Sequence, residues 1–79
     1  MTYEVELPSL GEDAADEAVV AYWLVDEGET VKEGDDLVEM TTDKAAFTLP
    51  SPRSGKLVEK CVDEGDEVQI GDVLCILEQ

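Results

Sequence analysis

The sequence predicts an all-β domain of about eight short strands arranged in two related halves. Apolar and polar residues alternate on a period of two, which is the pattern of half-buried strands. No window of helical length repeats every 3.6 residues, and the segment 12–18 has room for one helical turn at most. The 79 residues allow one domain, spanning 1–79, with a single small core.

An internal repeat organises the chain. Segments 25–40 and 62–77 share eight of sixteen residues at an offset of 37, and segment 5–9 resembles segment 47–51 at an offset of 42. The difference between these offsets predicts five extra residues between Pro8 and Val25. Neither half can bury its apolar face alone, so we expect the two halves to pack on each other as a flattened barrel or sandwich.

The strands follow in order from the apolar runs and the glycines between them. The first strand contains Val5 and Leu7, the second is the β-rich run 19–25, and shorter runs at 37–40 and 73–77 end the two halves. The turns contain four glycines at which a positive φ is expected, namely Gly28, Gly34, Gly65 and Gly71.

The predicted core collects the large apolar residues of these runs. It consists of Val5, Leu7, Val25, Val31, Leu37, Leu49, Leu57, Val62, Val68, Leu74 and Ile76. Residues related by the repeat are expected to pack near a pseudo-twofold axis, as in Val25 with Val62, Val31 with Val68, and Leu37 with Leu74. The two cysteines, Cys61 and Cys75, lie in apolar runs and are expected to be reduced and buried.

The charge of the chain excludes several classes of function. It has 21 acidic and 5 basic residues and no histidine, for a net charge of −16. Nucleic acids and anionic membranes are therefore not expected partners, because both require clustered Lys and Arg. No metal site or catalytic constellation is present in the sequence. With no transmembrane span or signal peptide, a cytoplasmic location is expected, or the mitochondrial matrix if a leader has been removed.

One lysine occupies an unusual place. Strand-like residues flank Asp43 and Lys44 on both sides, which predicts that this pair caps a β-hairpin. Unlike glycine, lysine does not readily adopt a positive φ. Either Lys44 is therefore present for another reason, or the turn is of another type. The position related to Lys44 by the repeat lies beyond the carboxy terminus. A solvated lysine with no function remains an open interpretation of the residues alone.

The chain resembles the lipoyl domains of 2-oxo acid dehydrogenase acyltransferase subunits. The resemblance lies in residues 42–45, TDKA, followed by LPSP at 49–52 and by Gly55. It extends to ELPSLGE at 6–12 and to VKEGDDL at 31–37. The resemblance implies a barrel-sandwich hybrid of two four-stranded antiparallel sheets with quasi-twofold symmetry.

The resemblance also implies a carrier rather than an enzyme. Lys44 would hold a covalent lipoate, with Asp43, Ala45 and Thr42 flanking it for recognition by a lipoate ligase or lipoyl transferase. The arm would visit a thiamine-dependent 2-oxo acid decarboxylase, the acyltransferase catalytic domain and dihydrolipoyl dehydrogenase in turn. The domain itself is expected to be monomeric.

A partner-recognition segment follows from the same resemblance. Loop 8–16 carries Glu12, Asp13 and Asp16, and we expect it to help select the cognate decarboxylase. Two alternatives stay open. One is a biotinyl carrier, whose lysine typically lies between two methionines, and the other is an unmodified acidic domain for protein interaction.

Overall fold

The computed structural model describes residues 1–8 and 17–79, and these residues form eight β-strands. The strands are β1 (Thr2–Glu6), β2 (Glu17–Trp23), β3 (Thr30–Val31), β4 (Asp36–Thr41), β5 (Ala46–Pro50), β6 (Gly55–Lys60), β7 (Glu67–Gln69) and β8 (Val73–Glu78). The all-β prediction is confirmed. None of the described residues is helical, so this part of the chain has no helix able to span a membrane.

The strands form two antiparallel sheets, each drawn from both halves of the repeat. One sheet has the order β1-β8-β6-β3, and the other has the order β5-β4-β2-β7. Exchanging β1 with β5, β2 with β6, β3 with β7 and β4 with β8 converts one order into the other, which confirms the quasi-twofold symmetry. The two halves pack on each other as expected, but they are interleaved, because each sheet takes two strands from either half.

Strand pairing corrects the length of the inserted loop. Thr2 pairs with Glu78 in one sheet, and Ala46 pairs with Thr41 in the other. An offset of 37 relates Thr41 of β4 to Glu78 of β8, so their strand partners Ala46 and Thr2 must also be equivalent. The offset between β1 and β5 is therefore 46 − 2, or 44. The insertion therefore has 44 − 37, or seven, residues rather than five. A slip of two residues leaves every side chain on the same face, so alternation in the sequence does not reveal it.

The glycine turns agree with the prediction. Gly28, Gly34, Gly65 and Gly71 have φ between 93° and 95°, and they are the described residues with positive φ. Gly28 N donates to Leu57 O at 2.7 Å, and its repeat partner Gly65 donates in the same way to Val20 O at 2.7 Å. Residues with a Cβ are disfavoured at such φ values, so these turns fix where each long strand bends back.

Paired β-bulges change which residues of β4 and β8 are buried. The register shifts at Leu37, where β4 pairs with β5, and at Leu74, where β8 pairs with β1. A bulge places two consecutive residues on the inner face, so Val38 and Cys75 are buried beside the two leucines. The same shift leaves Ile76 only partly buried. Buried apolar residues missing from the predicted core are Ala18, Val20, Val38, Met40 and Leu77, whereas Cys75 is buried as expected of the cysteines.

The core divides into two clusters that exchange under the quasi-twofold symmetry. Val68 and Leu74 lie in one cluster, whereas their repeat partners Val31 and Leu37 lie in the other. The expected packing of each pair is therefore not found within either cluster. Val25 and Val62, also predicted as core, are partly buried, and each packs against a different cluster.

The residues that meet at the quasi-twofold axis are Trp23 and Lys60. They occupy equivalent positions, and Lys60 Nζ lies 5.3 Å from the centre of the Trp23 ring. Trp23 N donates to Glu64 Oε2 at 3.1 Å, and Lys60 N donates to Glu27 Oε2 at 2.9 Å. Equivalent residues touch each other only close to the axis that relates them. The Trp23 ring also packs against both clusters and joins them.

The two cysteines differ in environment. Both are free thiols, as expected, but Cys61 is exposed and only Cys75 is buried, so the prediction of two buried cysteines is wrong for Cys61. Cys61 directly follows β6, which ends at Lys60. Burial raises the pKa of the Cys75 thiol to about 12.

Candidate functional site: the lysine hairpin

Strands β4 and β5 form the hairpin that presents Lys44. The last strand pair is Thr41 with Ala46, and residues 42–45 close the turn. Thr42 N donates to Ala45 O at 2.8 Å, which leaves Asp43 and Lys44 as the two central residues. The prediction that this pair caps a hairpin is confirmed.

Hydrogen bonds of the Thr42 side chain close this turn, whereas tight hairpin turns usually depend on the conformational freedom of glycine. Neither Asp43 nor Lys44 has a positive φ, so this is not the turn that Asn-Gly or Asp-Gly forms. Instead, Thr42 Oγ1 accepts hydrogen bonds from Lys44 N at 3.3 Å and Ala45 N at 3.2 Å. The same hydroxyl lies 3.2 Å from Ala45 O, to which it donates. A short side chain that binds its own turn allows an ordinary residue such as lysine at the tip.

The tip is exposed and its base is anchored. Asp43, Lys44 and Ala45 are all exposed. Two residues before the turn, Met40 is fully buried. It pairs with Phe47, which packs against the same core cluster. β4 is also an inner strand, held by β5 on one side and β2 on the other. The lysine therefore projects from a small turn fixed to the core, beside an alanine that leaves room for a substituent.

The other end of the molecule carries the quasi-twofold counterpart of this turn. Gln79 N donates to Met1 O at 2.8 Å, which corresponds to the bond from Thr42 to Ala45. Met1 and Gln79 thus occupy the positions that Ala45 and Thr42 occupy at the lysine end. Among the described residues, the lysine-bearing turn lies at one end of this duplicated scaffold.

A groove borders the hairpin on the side of β2. It has a volume of about 440 Å³ and is lined by Glu17, Ala18, Val19, Thr41, Thr42, Asp43 and Glu67. We call it the acidic groove, because three of these residues are carboxylates and none of the described lining residues is basic. Sequence inspection missed it, since no motif indicates that Val19 pairs with both Thr41 and Glu67.

Glu12, Asp13 and Asp16 are outside the described residues, so the proposed recognition loop stays a prediction. Trp23 is a packing residue whose Nε1 donates to Val62 O at 3.0 Å. Among the described residues, no group of three or more His, Cys, Asp or Glu side chains is arranged to hold a metal ion.

Comparison with known proteins gives the family. The architecture is that of a small β-sandwich that presents one lysine on a fixed hairpin. A family model that carries biotinyl and lipoyl domains and is described as "Biotin-requiring enzyme" matches residues 3–77. The chain therefore belongs to the biotinyl/lipoyl domain family, as its sequence motifs suggest.

The relatives place the chain on the lipoyl side of this family. The dihydrolipoyllysine-residue succinyltransferase component of the 2-oxoglutarate dehydrogenase complex from Bartonella vinsonii subsp. berkhoffii is 42% identical over 78 residues, covering 99% of this chain. The dihydrolipoyllysine-residue acetyltransferase component of the pyruvate dehydrogenase complex from Corynebacterium glutamicum is 38% identical over 77 residues, covering 98%. The matched regions are only 19% and 11% of those two proteins.

A solved structure supports the same assignment. The lipoyl domain of the 2-oxoglutarate dehydrogenase complex from Azotobacter vinelandii superposes with a TM-score of 0.75 at 29% identity. The match covers 96% of this chain and 95% of that one, so the two domains correspond over nearly their whole length.

Proposed function

We propose that Lys44 Nζ holds a lipoyl group in amide linkage and that the domain is a swinging-arm carrier. The observation that carries this proposal is the turn itself: Thr42 binds the backbone of residues 44 and 45, which places an exposed lysine at the tip of an anchored hairpin. When bound, lipoate supplies a dithiolane that carries acyl groups and reducing equivalents. The protein supplies position and recognition.

The residues around Lys44 fit such a group. Ala45 and Ala46 are exposed and small, so they do not obstruct a long substituent on the lysine. The fully buried Met40, paired with the partly buried Phe47, holds the attachment point while the arm moves. A firm attachment point with a flexible arm raises the local concentration of the reactive end at each enzyme that the domain meets.

The partners belong to this proposal. A lipoate ligase or lipoyl transferase would modify Lys44, reading the turn with Asp43 and Ala45. A thiamine-dependent 2-oxo acid decarboxylase, an acyltransferase catalytic domain and dihydrolipoyl dehydrogenase would then use the arm in turn. Segment 12–16 would contribute to the choice of decarboxylase. Reductive acylation that is unchanged after deletion of 12–16 would contradict that last role.

The decisive test is intact mass spectrometry after expression with lipoate and an active ligase. We expect one lipoyl increment on the wild type and none on Lys44→Ala. Lys56→Ala is the matched control, because Lys56 is also exposed but lies within β6 rather than on a turn. It should keep the increment, and Lys44→Ala should stay folded, since an exposed turn side chain contributes little stability.

Two outcomes would contradict the proposal. A biotin increment on the wild type would assign the domain to carboxylase chemistry instead. No increment, with the ligase active on a control lipoyl domain, would leave an unmodified acidic interaction domain as the better interpretation.

A further inference from the structure

We propose that the outer edge of β1 accepts an extended segment of a partner protein in which apolar residues alternate with Lys or Arg. The segment would add a fifth strand to the sheet β1-β8-β6-β3 and would lie along a groove between β1 and β5. None of the described residues that line this groove belongs to the lysine turn 42–45. The inference goes beyond the proposed carrier function and does not depend on it.

Four of the eight described strands lie at the edges of the two sheets, namely β1, β3, β5 and β7. An edge strand presents a row of backbone N–H and C=O groups that can pair with another chain. β3 and β7 have only two and three residues, so they offer little length for pairing. β1 and β5 have five residues each and are equivalent at an offset of 44. The comparison therefore narrows to these two edges.

The ladder between β1 and β8 shows which backbone groups of β1 point outward. Gln79 N donates to Met1 O at 2.8 Å, and Met1 N lies 3.5 Å from Gln79 O, so these two residues form a hydrogen-bonded pair. Hydrogen-bonded and non-hydrogen-bonded pairs alternate along an antiparallel ladder. Thr2 and Glu4 therefore belong to non-hydrogen-bonded pairs with β8. Their N–H and C=O groups point away from β8, to the outer edge.

A proline distinguishes the edge of β5 from that of β1. Beyond the bulge in the ladder, Leu7 N donates to Asp72 O at 3.0 Å, so Glu6 is the third residue of β1 whose backbone groups face outward. An offset of 44 places Pro50 at the equivalent position of β5. Proline has no N–H to donate, and it hinders the pairing of an edge strand. The outer edge of β1 keeps an N–H at all three positions.

An apolar groove of about 850 Å³ lies beside this edge. Its apolar walls come from β1, from the end of β5 and from the residues that follow each strand, namely Tyr3, Val5, Leu7, Leu49, Pro50 and Pro52. Side chains of an added strand that point to this face would cover apolar surface between the two edges, which favours binding. One face of the added strand should therefore be apolar.

The other face of the added strand should be basic. Glu4 and Glu6 also line the groove, but they are exposed and alternate with the buried Val5, so they point to the opposite face of β1. Opposite charges on neighbouring strands stabilise the pair, and like charges destabilise it. A second copy of this chain, with a net charge of −16, would bring its own glutamates to this face. Charge complementarity therefore selects a partner with Lys or Arg at alternate positions.

The probe for this edge is a synthetic peptide with blocked ends and the sequence KVKVKVK. Its binding to the full chain is measured by calorimetry, and exchange of the backbone amides is followed by NMR with and without the peptide. We expect saturable binding and slower exchange at Thr2, Glu4 and Glu6, because these N–H groups gain acceptors. The peptide KKVVVKK has the same composition without the alternation, and its Kd should be about tenfold higher or more.

Glu6→Pro copies Pro50 into β1 and is the decisive variant. The N–H of Glu6 faces away from β8, so its removal should leave the melting temperature near that of the wild type, whereas the Kd of KVKVKVK should rise about tenfold or more. Glu6→Gln keeps the N–H, and its Kd should rise only about twofold to threefold. Glu33→Gln removes an exposed charge from outside the groove and should change the Kd by less than about twofold.

Modified peptides test the same hydrogen bonds without changing the protein, and they decide the matter if Glu6→Pro does not fold. One peptide is N-methylated on its lysines and the other on its valines. Alternate N–H groups of a strand face opposite sides, so one of the two should lose binding and the other should keep it. Equal binding of both would contradict backbone pairing and would overturn the proposal.

The other outcomes are equally decisive. Absence of saturable binding overturns the proposal, and so does equal binding of KVKVKVK and KKVVVKK, which would show attraction by net charge alone. Slower exchange confined to β5 or to the acidic groove would place the peptide on another surface and would also overturn it. If the protein without peptide sediments as a dimer with protected β1 amides, the edge belongs to a second copy and the proposal fails.

Discussion

Replacing Gly55 with alanine should destabilise the domain, because the new methyl group would meet the backbone of β8. An ideal Cβ at Gly55 lies 2.8 Å from Glu78 O and 3.3 Å from Leu77 Cβ. Gly55 is not among the glycines with positive φ, so the cost arises from this contact rather than from the backbone conformation. The main chain of an inner strand cannot turn aside as a flexible side chain does.

The expected loss is about 1–2 kcal/mol. Overpacking in a close-packed site costs about 1–3 kcal/mol. The reduced entropy of the unfolded chain offsets about 0.4–1 kcal/mol of that cost. For a domain of this size, the net loss should lower the melting temperature by about 5–15 °C.

Urea unfolding followed by the fluorescence of Trp23 measures this loss. The matched control is Ala18, the quasi-twofold equivalent of Gly55, which is buried and already carries a Cβ. Ala18→Gly should cost only about 0.5–1 kcal/mol, from backbone entropy. A Gly55→Ala variant as stable as the wild type, or more stable, would refute the close approach between β6 and β8.

Four further predictions concern the axis, the thiols and the charge. Trp23→Phe should lose about 1–2 kcal/mol in urea unfolding, because the Val62 carbonyl loses its donor; an unchanged midpoint would contradict that role. A thiol reagent should label Cys61 in the folded protein and Cys75 only after unfolding. The pKa of Cys75 is raised from 9.0 to about 12, so the unfolded chain releases its proton first. Stability should therefore fall as pH rises above 9, by up to about 1.4 kcal/mol per pH unit. Cys75→Val, which copies the equivalent Val38, should reduce that slope to the part due to Cys61, whose pKa is also raised by burial and by Glu59 and Glu4, and an unchanged slope would assign the dependence to other groups. Finally, with a net charge of −16, the melting temperature should rise with added NaCl, and a fall would show that repulsion is not limiting.

Local patterns were sufficient to predict several features of the site. The TDKA turn is predictable because Asp43 and Lys44 interrupt two strand-like runs, and a hairpin depends on neighbouring residues. The four glycine turns are predictable because a positive φ strongly favours one residue type. The sequence predicts only a recognition role for Thr42. Its part in closing the lysine turn depends on hydrogen bonds that become evident with the turn geometry.

Other features depend on contacts between distant parts of the chain. Alternation predicted Ile76 as core, but the bulge at Leu74 moves the buried positions to Cys75 and Leu77. The acidic groove depends on the pairing of Val19 with Glu67, which are far apart in sequence. The exposure of Cys61, just beyond the end of β6, is likewise evident only from the structure. No periodic pattern within one strand contains this information.

By itself, the sequence determined an all-β fold, its duplication, the positions of its turns and the lysine on a hairpin, because each follows from neighbouring residues or from a repeat. Only the tertiary structure decided that the halves interleave, that β1 and β5 are related by 44 residues, and that Trp23 meets Lys60 at the axis. Pairing between strands is chosen by hydrogen bonds and packing across the whole chain. A two-residue slip preserves every local pattern while it changes every partner.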